Sequence, residues 1–183
     1  MYQEKINKAV SVLKAGGVII FPTDTVWGIG VSIASSSGIE KLYKIKKREK
    51  DKPTAVLISN LNMADSIGRI NRKAKELINK YWPGGLTIIV KAKNSINNTI
   101  GLRLPNHPLA LALIEKLGTG LVASSANFSG RIPPLKKEQL DGQLIDLVDY
   151  ILPGESGGKP ASTVVDTTKN PFVILRQGAV KLS

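Results

Sequence analysis

The chain contains no cysteine, which excludes disulfides, cysteine-ligated zinc, iron–sulfur clusters and thiol catalysis. It has one histidine, His107, so neither a Ser-His-Asp triad nor a His-rich metal site has support. Acidic residues are scarce: 14 Asp and Glu face 26 Lys and Arg, a formal net charge of +12. Aromatic residues make up only 5%, and Trp27, Trp82 and the tyrosines are too scattered to form a stacking platform for single-stranded nucleic acid. Apolar runs are short, none approaching the roughly 18 residues of a membrane span. The polar start, Met1-Tyr2-Gln3-Glu4-Lys5, leads directly into a helical pattern, unlike a signal peptide. These absences predict a soluble, cytoplasmic, basic domain with no membrane partner. The excess positive charge predicts an anionic one, nucleotide or nucleic acid.

What is present reads as α/β. The 183 residues are 42% hydrophobic, enough for one domain with a real core. Ile6, Ala9, Val10 and Leu13 fall at helical spacing, and Gly16-Gly17 stops the pattern. A buried strand over 18–21 ends at Pro22. Ser37 and Glu40 have the spacing of a capping box for a helix carrying Ile39, Leu42 and Tyr43. Further strands are predicted over 55–58, 86–90, 100–104, 121–123, 150–152, 163–165 and 172–175. Helices are predicted after an Asn71 cap, over 109–117 and over 138–147. The Asn-rich turn between 86–90 and 100–104 suggests an antiparallel pair. No repeat or linker interrupts the chain. The fold class expected is one α/β domain over 1–183, with an open, twisted, mixed sheet and flanking helices.

The standard phosphate motifs are missing. Gly158-Lys159 is followed by Pro160 where a P-loop has Ser or Thr, and Gly28-Ile29-Gly30 lacks the third glycine of a dinucleotide fingerprint. The densest cations run from Lys41 to Lys52. Lys46 continues the apolar face set by Leu42 and Tyr43, while Arg48 and Lys52 lie where that helix runs out. Three other segments are unusual. Pro22-Thr23-Asp24-Thr25 puts hydroxyls and a carboxylate after a buried strand. Arg103 interrupts an apolar strand, where a charge needs a partner or a ligand. Ser124-Ser125-Ala126-Asn127 with Ser129-Gly130 sets short polar groups after another strand. Each is also ordinary turn chemistry. Together they bring Thr23, Lys46, Arg103, Ser125, Asn127 and Arg176 near the element ends of one sheet, where α/β ligand sites lie. His107, at a helix start, reads as a structural turn residue.

In their order along the chain, these segments resemble YrdC-type proteins. The pieces are Phe21-Pro22-Thr23-Asp24-Thr25-Val26-Trp27-Gly28, Lys46-Lys47-Arg48, Trp82-Pro83-Gly84-Gly85-Leu86-Thr87, Arg103-Leu104-Pro105, Ser125-Ala126-Asn127-Phe128-Ser129-Gly130, Ser162-Thr163-Val164-Val165-Asp166 and Leu175-Arg176-Gln177-Gly178. The length is similar to the family's short form. The resemblance implies a YrdC/RibB-like fold and threonylcarbamoyl-AMP synthase activity on L-threonine, bicarbonate or CO2, and ATP with its Mg²⁺. The product would feed a tRNA threonylcarbamoyl transferase acting on adenosine 37, forming t6A, in tRNAs that read codons beginning with A. By the same resemblance Lys46, Arg48, Ser125, Asn127 and Arg176 serve nucleotide binding; charge neutralisation of the triphosphate adds Lys52 to the ATP site and gives Lys46 and Arg48 the catalytic role. Thr23, Arg103 and Ser162 form the threonine pocket, and no protein-bound metal is implied. Direct binding of tRNA or double-stranded RNA by the basic surface is a further expectation. Two other readings stay open: a basic RNA-binding domain without activity, and a paralogue in ribosome or RNA maturation. Three positions depart from the family pattern: Glu49 stands for the usual Pro, Leu57 for a His of many long-form relatives, and Trp27 for Tyr or Phe.

Overall fold

Ile6, Ala9, Val10 and Leu13 are all buried on one side of the first helix, α1 (Tyr2–Lys14), as their spacing requires. The computed structural model describes residues 2–47, 54–93 and 99–182. After α1 come β1 (Ile19–Pro22), β2 (Trp27–Ser32), α2 (Ser36–Lys46), β3 (Ala55–Leu57), α3 (Leu61–Ile67), β4 (Gly68–Arg69) and α4 (Arg72–Tyr81). Then follow β5 (Leu86–Ala92), β6 (Thr99–Arg103), α5 (Pro108–Leu117), β7 (Leu121–Ser125), a 3-10 turn (Lys137–Gln139), α6 (Gly142–Ile145), β8 (Tyr150–Ile151), β9 (Thr163–Asp166) and β10 (Val173–Arg176).

The strands form one open sheet in the order β10-β9-β5-β6-β3-β7-β2-β1-β8, with β4 paired to β5. It is mixed: β1/β8, β3/β6 and β5/β9 are parallel and the remaining pairs antiparallel, including the expected β5/β6 pair. Period-2 alternation divides its faces. On one face Leu86, Ile88 and Val90 join Leu102, Val56, Val122 and Val165, and Leu42 and Ile45 of α2 with Ala74 and Ile78 of α4 belong to the same core. On the other face Ile19, Phe21, Leu57 and Leu121 pack beneath α1 and α5.

Four local expectations need correction. The cap of α2 is Ser35, whose Oγ accepts from the Gly38 N–H at 3.1 Å; Ser37 lies inside the first turn. In the run Ser35-Ser36-Ser37 every residue can cap, and packing selects the first. The helix expected over 138–147 is only the 3-10 turn and the one-turn α6. Leu140 is extended, and Asp141 starts a new cap by accepting from the Gln143 N–H. Strand β2 was not expected, because Gly28 and Gly30 broke its pattern. Both glycines answer to packing: a Cβ at Gly28 would lie 3.0 Å from Phe21 and one at Gly30 2.7 Å from the Val122 carbonyl. The short α3 and β4 were also missed, although Asn60 caps α3 by accepting from the Met63 N–H at 2.8 Å. Asn71 does cap α4, and His107 does cap α5.

One clip joins the sheet edge to α2. The Asp149 carboxylate accepts from the Val18 N–H at 2.7 Å and from Lys41 Nζ at 2.6 Å. Burial opposes the charge, but the bonds from Lys41 and Val18 outweigh it and hold this carboxyl below the usual carboxylate range. A depressed folded pKa contributes stability above the unfolded value of about 3.9 and loses it as pH falls through the folded value. Asp149→Asn should therefore cost about 1 kcal/mol at neutral pH. Thermal unfolding of both proteins should show that gap closing below pH 4 or so.

Candidate active site

Beyond α1 and α5, their face of the sheet holds a cavity of 420 Å³. Its floor is a row of small residues in register across three strands, Ala123 opposite Ala55 and Ala55 opposite Gly101. Glycine is not forced at 101 by sterics, since a Cβ there would find Thr87 at 3.4 Å, ordinary contact. Its effect is to keep the floor low. Leu57 and Ile89 add apolar wall, while Thr23, Thr87, Arg103, Ser125, Ser162 and Arg176 supply the polar groups.

Arg103 ends β6 and is 6% exposed. Its Nη2 donates to Asp24 Oδ1 at 2.7 Å and to Thr25 Oγ1 at 3.1 Å, and its Nε donates to the Gly84 carbonyl at 3.0 Å. Nη1 makes no hydrogen bond to the described residues. Burial lowers the guanidinium pKa from its ordinary value, Asp24 works against that, and the charge of Arg176 adds to the lowering. Arginine stays charged through such a shift. Two guanidinium groups that repel each other across a cavity favour an anion between them.

Across the cavity Arg176 donates from Nε and Nη2 to the Ser162 carbonyl at 3.0 and 2.8 Å, and from Nη2 to Ser162 Oγ at 3.2 Å. Ser162 Oγ also lies 2.8 Å from Thr87 Oγ1. The Thr23 hydroxyl lines the cavity, gives its hydrogen to the Val26 carbonyl at 2.7 Å, and meets the Thr25 N–H at 3.2 Å and Thr25 Oγ1 at 3.1 Å, so the 23–25 turn holds it in place.

Lys46 lies on the inner face of α2, as its register with Leu42 and Tyr43 indicated, and is 2% exposed. Its ammonium donates to the carbonyls of Ser125 and Asn127, while its own carbonyl accepts from the Ser129 N–H. It therefore stands behind the 125–129 loop and does not line the cavity. Asn127 gives its Nδ2 to the carbonyls of Phe128 and Arg131, at 3.0 and 2.6 Å. Its Oδ1 is buried with no hydrogen-bond partner among the described residues. Arg48, Glu49 and Lys52 lie outside the described residues.

Of the expected site residues, the structure brings Thr23, Arg103, Ser125, Ser162 and Arg176 to one cavity and sets Lys46 and Asn127 just behind its wall. The residues not anticipated are Asp24 and Thr25 as partners of Arg103, and Thr87 as partner of Ser162. A signal for Asp24 existed: Arg103 in a buried strand needed an acid, and few acids were available. His107 is structural, its Nδ1 accepting from the Ala110 N–H and its Nε2 lying 2.9 Å from the Glu155 carbonyl.

Over residues 11–178 the chain matches the Sua5/YciO/YrdC family model, described as telomere recombination. It is 35% identical over 189 residues to the threonylcarbamoyl-AMP synthase of Bacillus subtilis strain 168, an alignment covering 96% of this chain and 54% of that protein. Pyrococcus abyssi Sua5 complexed with L-threonine is a solved neighbour with a TM-score of 0.88 and 28% identity, over 94% of this chain and 54% of that one. Escherichia coli YciO gives a TM-score of 0.88 and 28% identity, over 98% of this chain and 91% of that one. The chain spans about half the length of the Bacillus and Pyrococcus relatives. With the match running through every strand of the sheet and every described wall of the cavity, the chain belongs to the Sua5/YciO/YrdC family.

Proposed function

We infer that this chain makes L-threonylcarbamoyl adenylate from L-threonine, bicarbonate or CO2, and ATP, releasing pyrophosphate. The product would supply the threonylcarbamoyl group of t6A at adenosine 37 of tRNAs. The observation carrying this reading is Arg103, a buried, fully supported guanidinium with one nitrogen left over at a small cavity. The solved relative with L-threonine bound adds to it.

The threonine carboxylate would accept from Arg103 Nη1, with the Thr23 oxygen and the Ser162–Thr87 hydroxyl pair near its polar groups. The threonine amine adds to CO2 and loses a proton to solvent, giving a carbamate that is short-lived in water and so benefits from an enclosed site. A carbamate oxygen attacks the α-phosphorus of ATP in line. The new P–O bond forms as the bond to the β-phosphate oxygen breaks, and pyrophosphate leaves. The nucleophile is already anionic, so no strong general base is needed, in keeping with a chain that has no cysteine and whose one histidine caps α5. What remains for the protein is positioning and charge neutralisation. Arg176, with Arg48 and Lys52, would face the nucleotide, and Lys46 with Asn127 would support it through the Ser125 loop. Mg²⁺ would be held by the phosphates and would offset their charge. No group of three or more His, Asp or Glu that could cage a metal exists among the described residues.

The test is pyrophosphate release from ATP with threonine and bicarbonate each present or omitted. Release that requires both is expected. Release indifferent to threonine, or none, would sink the reading. Binding to duplex RNA that falls steeply with salt and ignores threonine would instead favour the RNA-binding alternative.

A further inference from the structure

Asp24 does not line the cavity, yet it is tied to the one residue that matters most there. We propose that Asp24 is a positioning residue that fixes the Arg103 guanidinium so that the substrate carboxylate meets Nη1 alone. The inference rests on the functional reading above. Arginine offers five N–H donors. Three of these are taken by Asp24, Thr25 and the Gly84 carbonyl, and both remaining hydrogens are on Nη1. The plane of the fork is thereby set before any ligand arrives.

Asp24 is itself held from behind. The Gly157 N–H donates to the Thr23 carbonyl at 2.8 Å, and the Lys159 N–H donates to the Thr25 carbonyl at 3.1 Å. The two backbones run so close that a Cβ on Gly157 would come within 2.1 Å of the Asp24 carbonyl oxygen. The glycine-rich segment 153–160 thus acts as a brace. It presses the 23–25 turn toward β6, and the turn presents its carboxylate to Arg103. A buried ion pair of this kind is a poor source of net stability compared with apolar packing, so its use here points to orientation.

The test uses the full chain with Asp24→Ala and Asp24→Asn. Asparagine keeps an acceptor for Nη2 and removes the charge. Asp24→Ala should raise the threonine KM roughly 30-fold and move the ATP KM by less than about 2-fold, with Asp24→Asn staying within about 5-fold of wild type. In an Arg103→Ala background, Asp24→Ala should add less than about 2-fold, because its effect passes through the arginine. Arginine-labelled NMR provides a second readout that needs no turnover. The Arg103 Nε–Hε signal should be protected from solvent exchange in wild type and Asp24→Asn, and should exchange at least about 10-fold faster in Asp24→Ala. An unchanged threonine KM, equal rises in both KM values, or a full additional loss in the Arg103→Ala background each overturn the proposal. If the wild-type chain shows no threonine-dependent turnover, the functional reading fails, and the exchange arm still decides whether Asp24 fixes the guanidinium: unchanged protection in Asp24→Ala overturns it.

Discussion

Arg103→Ala raises the threonine KM by roughly 100-fold or more and moves the ATP KM by less than about 3-fold, since truncating one partner of a buried charge pair costs 2–5 kcal/mol. The substitution does two separable things. It removes the cavity-lining guanidinium that would hold the threonine carboxylate. It also strands Asp24, whose side chain is 13% exposed and whose cation partner is gone, so the fold should lose about 3 kcal/mol. Lysine does not rescue it. One ammonium cannot bond the Gly84 carbonyl, Thr25 and Asp24 together and still leave a donor at the cavity. Steady-state pyrophosphate release with each substrate varied in turn, beside thermal unfolding, checks both parts. An unchanged threonine KM in a folded Arg103→Ala protein would falsify the assignment of the carboxylate site.

Lys46→Ala should damage ATP use instead, raising the ATP KM roughly 10- to 100-fold with the threonine KM little changed, and should destabilise the fold by about 2–4 kcal/mol. The reason is the place of its ammonium. It bonds the carbonyls of Ser125 and Asn127 from within the protein, and without it those carbonyls lose a buried donor. The loop that presents Ser125 to the cavity then loses its anchor on α2. Lys46→Met, which keeps the aliphatic stem, should recover part of the stability but none of the ATP affinity. Unfolding curves and ATP titrations on the two variants separate these effects. Equal ATP KM values for wild type and Lys46→Met would show that the clamp does not govern the nucleotide.

The main architecture was legible because the sheet is strongly patterned. Leu86, Ile88 and Val90 alternate with Thr87 and Ile89, the helix spacing of Ile6 to Leu13 is regular, and Asn71 and His107 sit where caps are needed. What escaped had a physical cause in each case. Gly28 and Gly30 look like loop glycines, and only the nearness of Phe21 and the Val122 carbonyl makes them strand residues. The helix expected over 138–147 had the right apolar spacing, but Asp141-Gly142 offered a new start that the chain takes. At the site, the cavity residues could be named from their oddness: a charge in a strand, hydroxyls after a strand. Their pairing was only half legible: Arg103 in a strand called for an acid, but Asp24 is 79 residues away and only the fold brings the two together. The buried role of the Lys46 ammonium was hidden for the same reason, its acceptors being backbone atoms that carry no signature in sequence.

Both outer edges of the sheet are built from the last third of the chain. Strand β8 joins β1, pairing Tyr150 with Ile19, and β9 joins β5, pairing Thr163 with Leu86. Such pairings have high contact order, so this domain belongs with slow folders. The cavity has a matching dependence. Thr23 comes from the start of the chain, Arg103 and Ser125 from its middle, Ser162 and Arg176 from its end. A nascent chain therefore owns no part-built pocket that could hold substrate early. Ligand affinity and global folding become one equilibrium, and a substrate at 100 times its Kd would add about 2.7 kcal/mol to the stability of the whole domain.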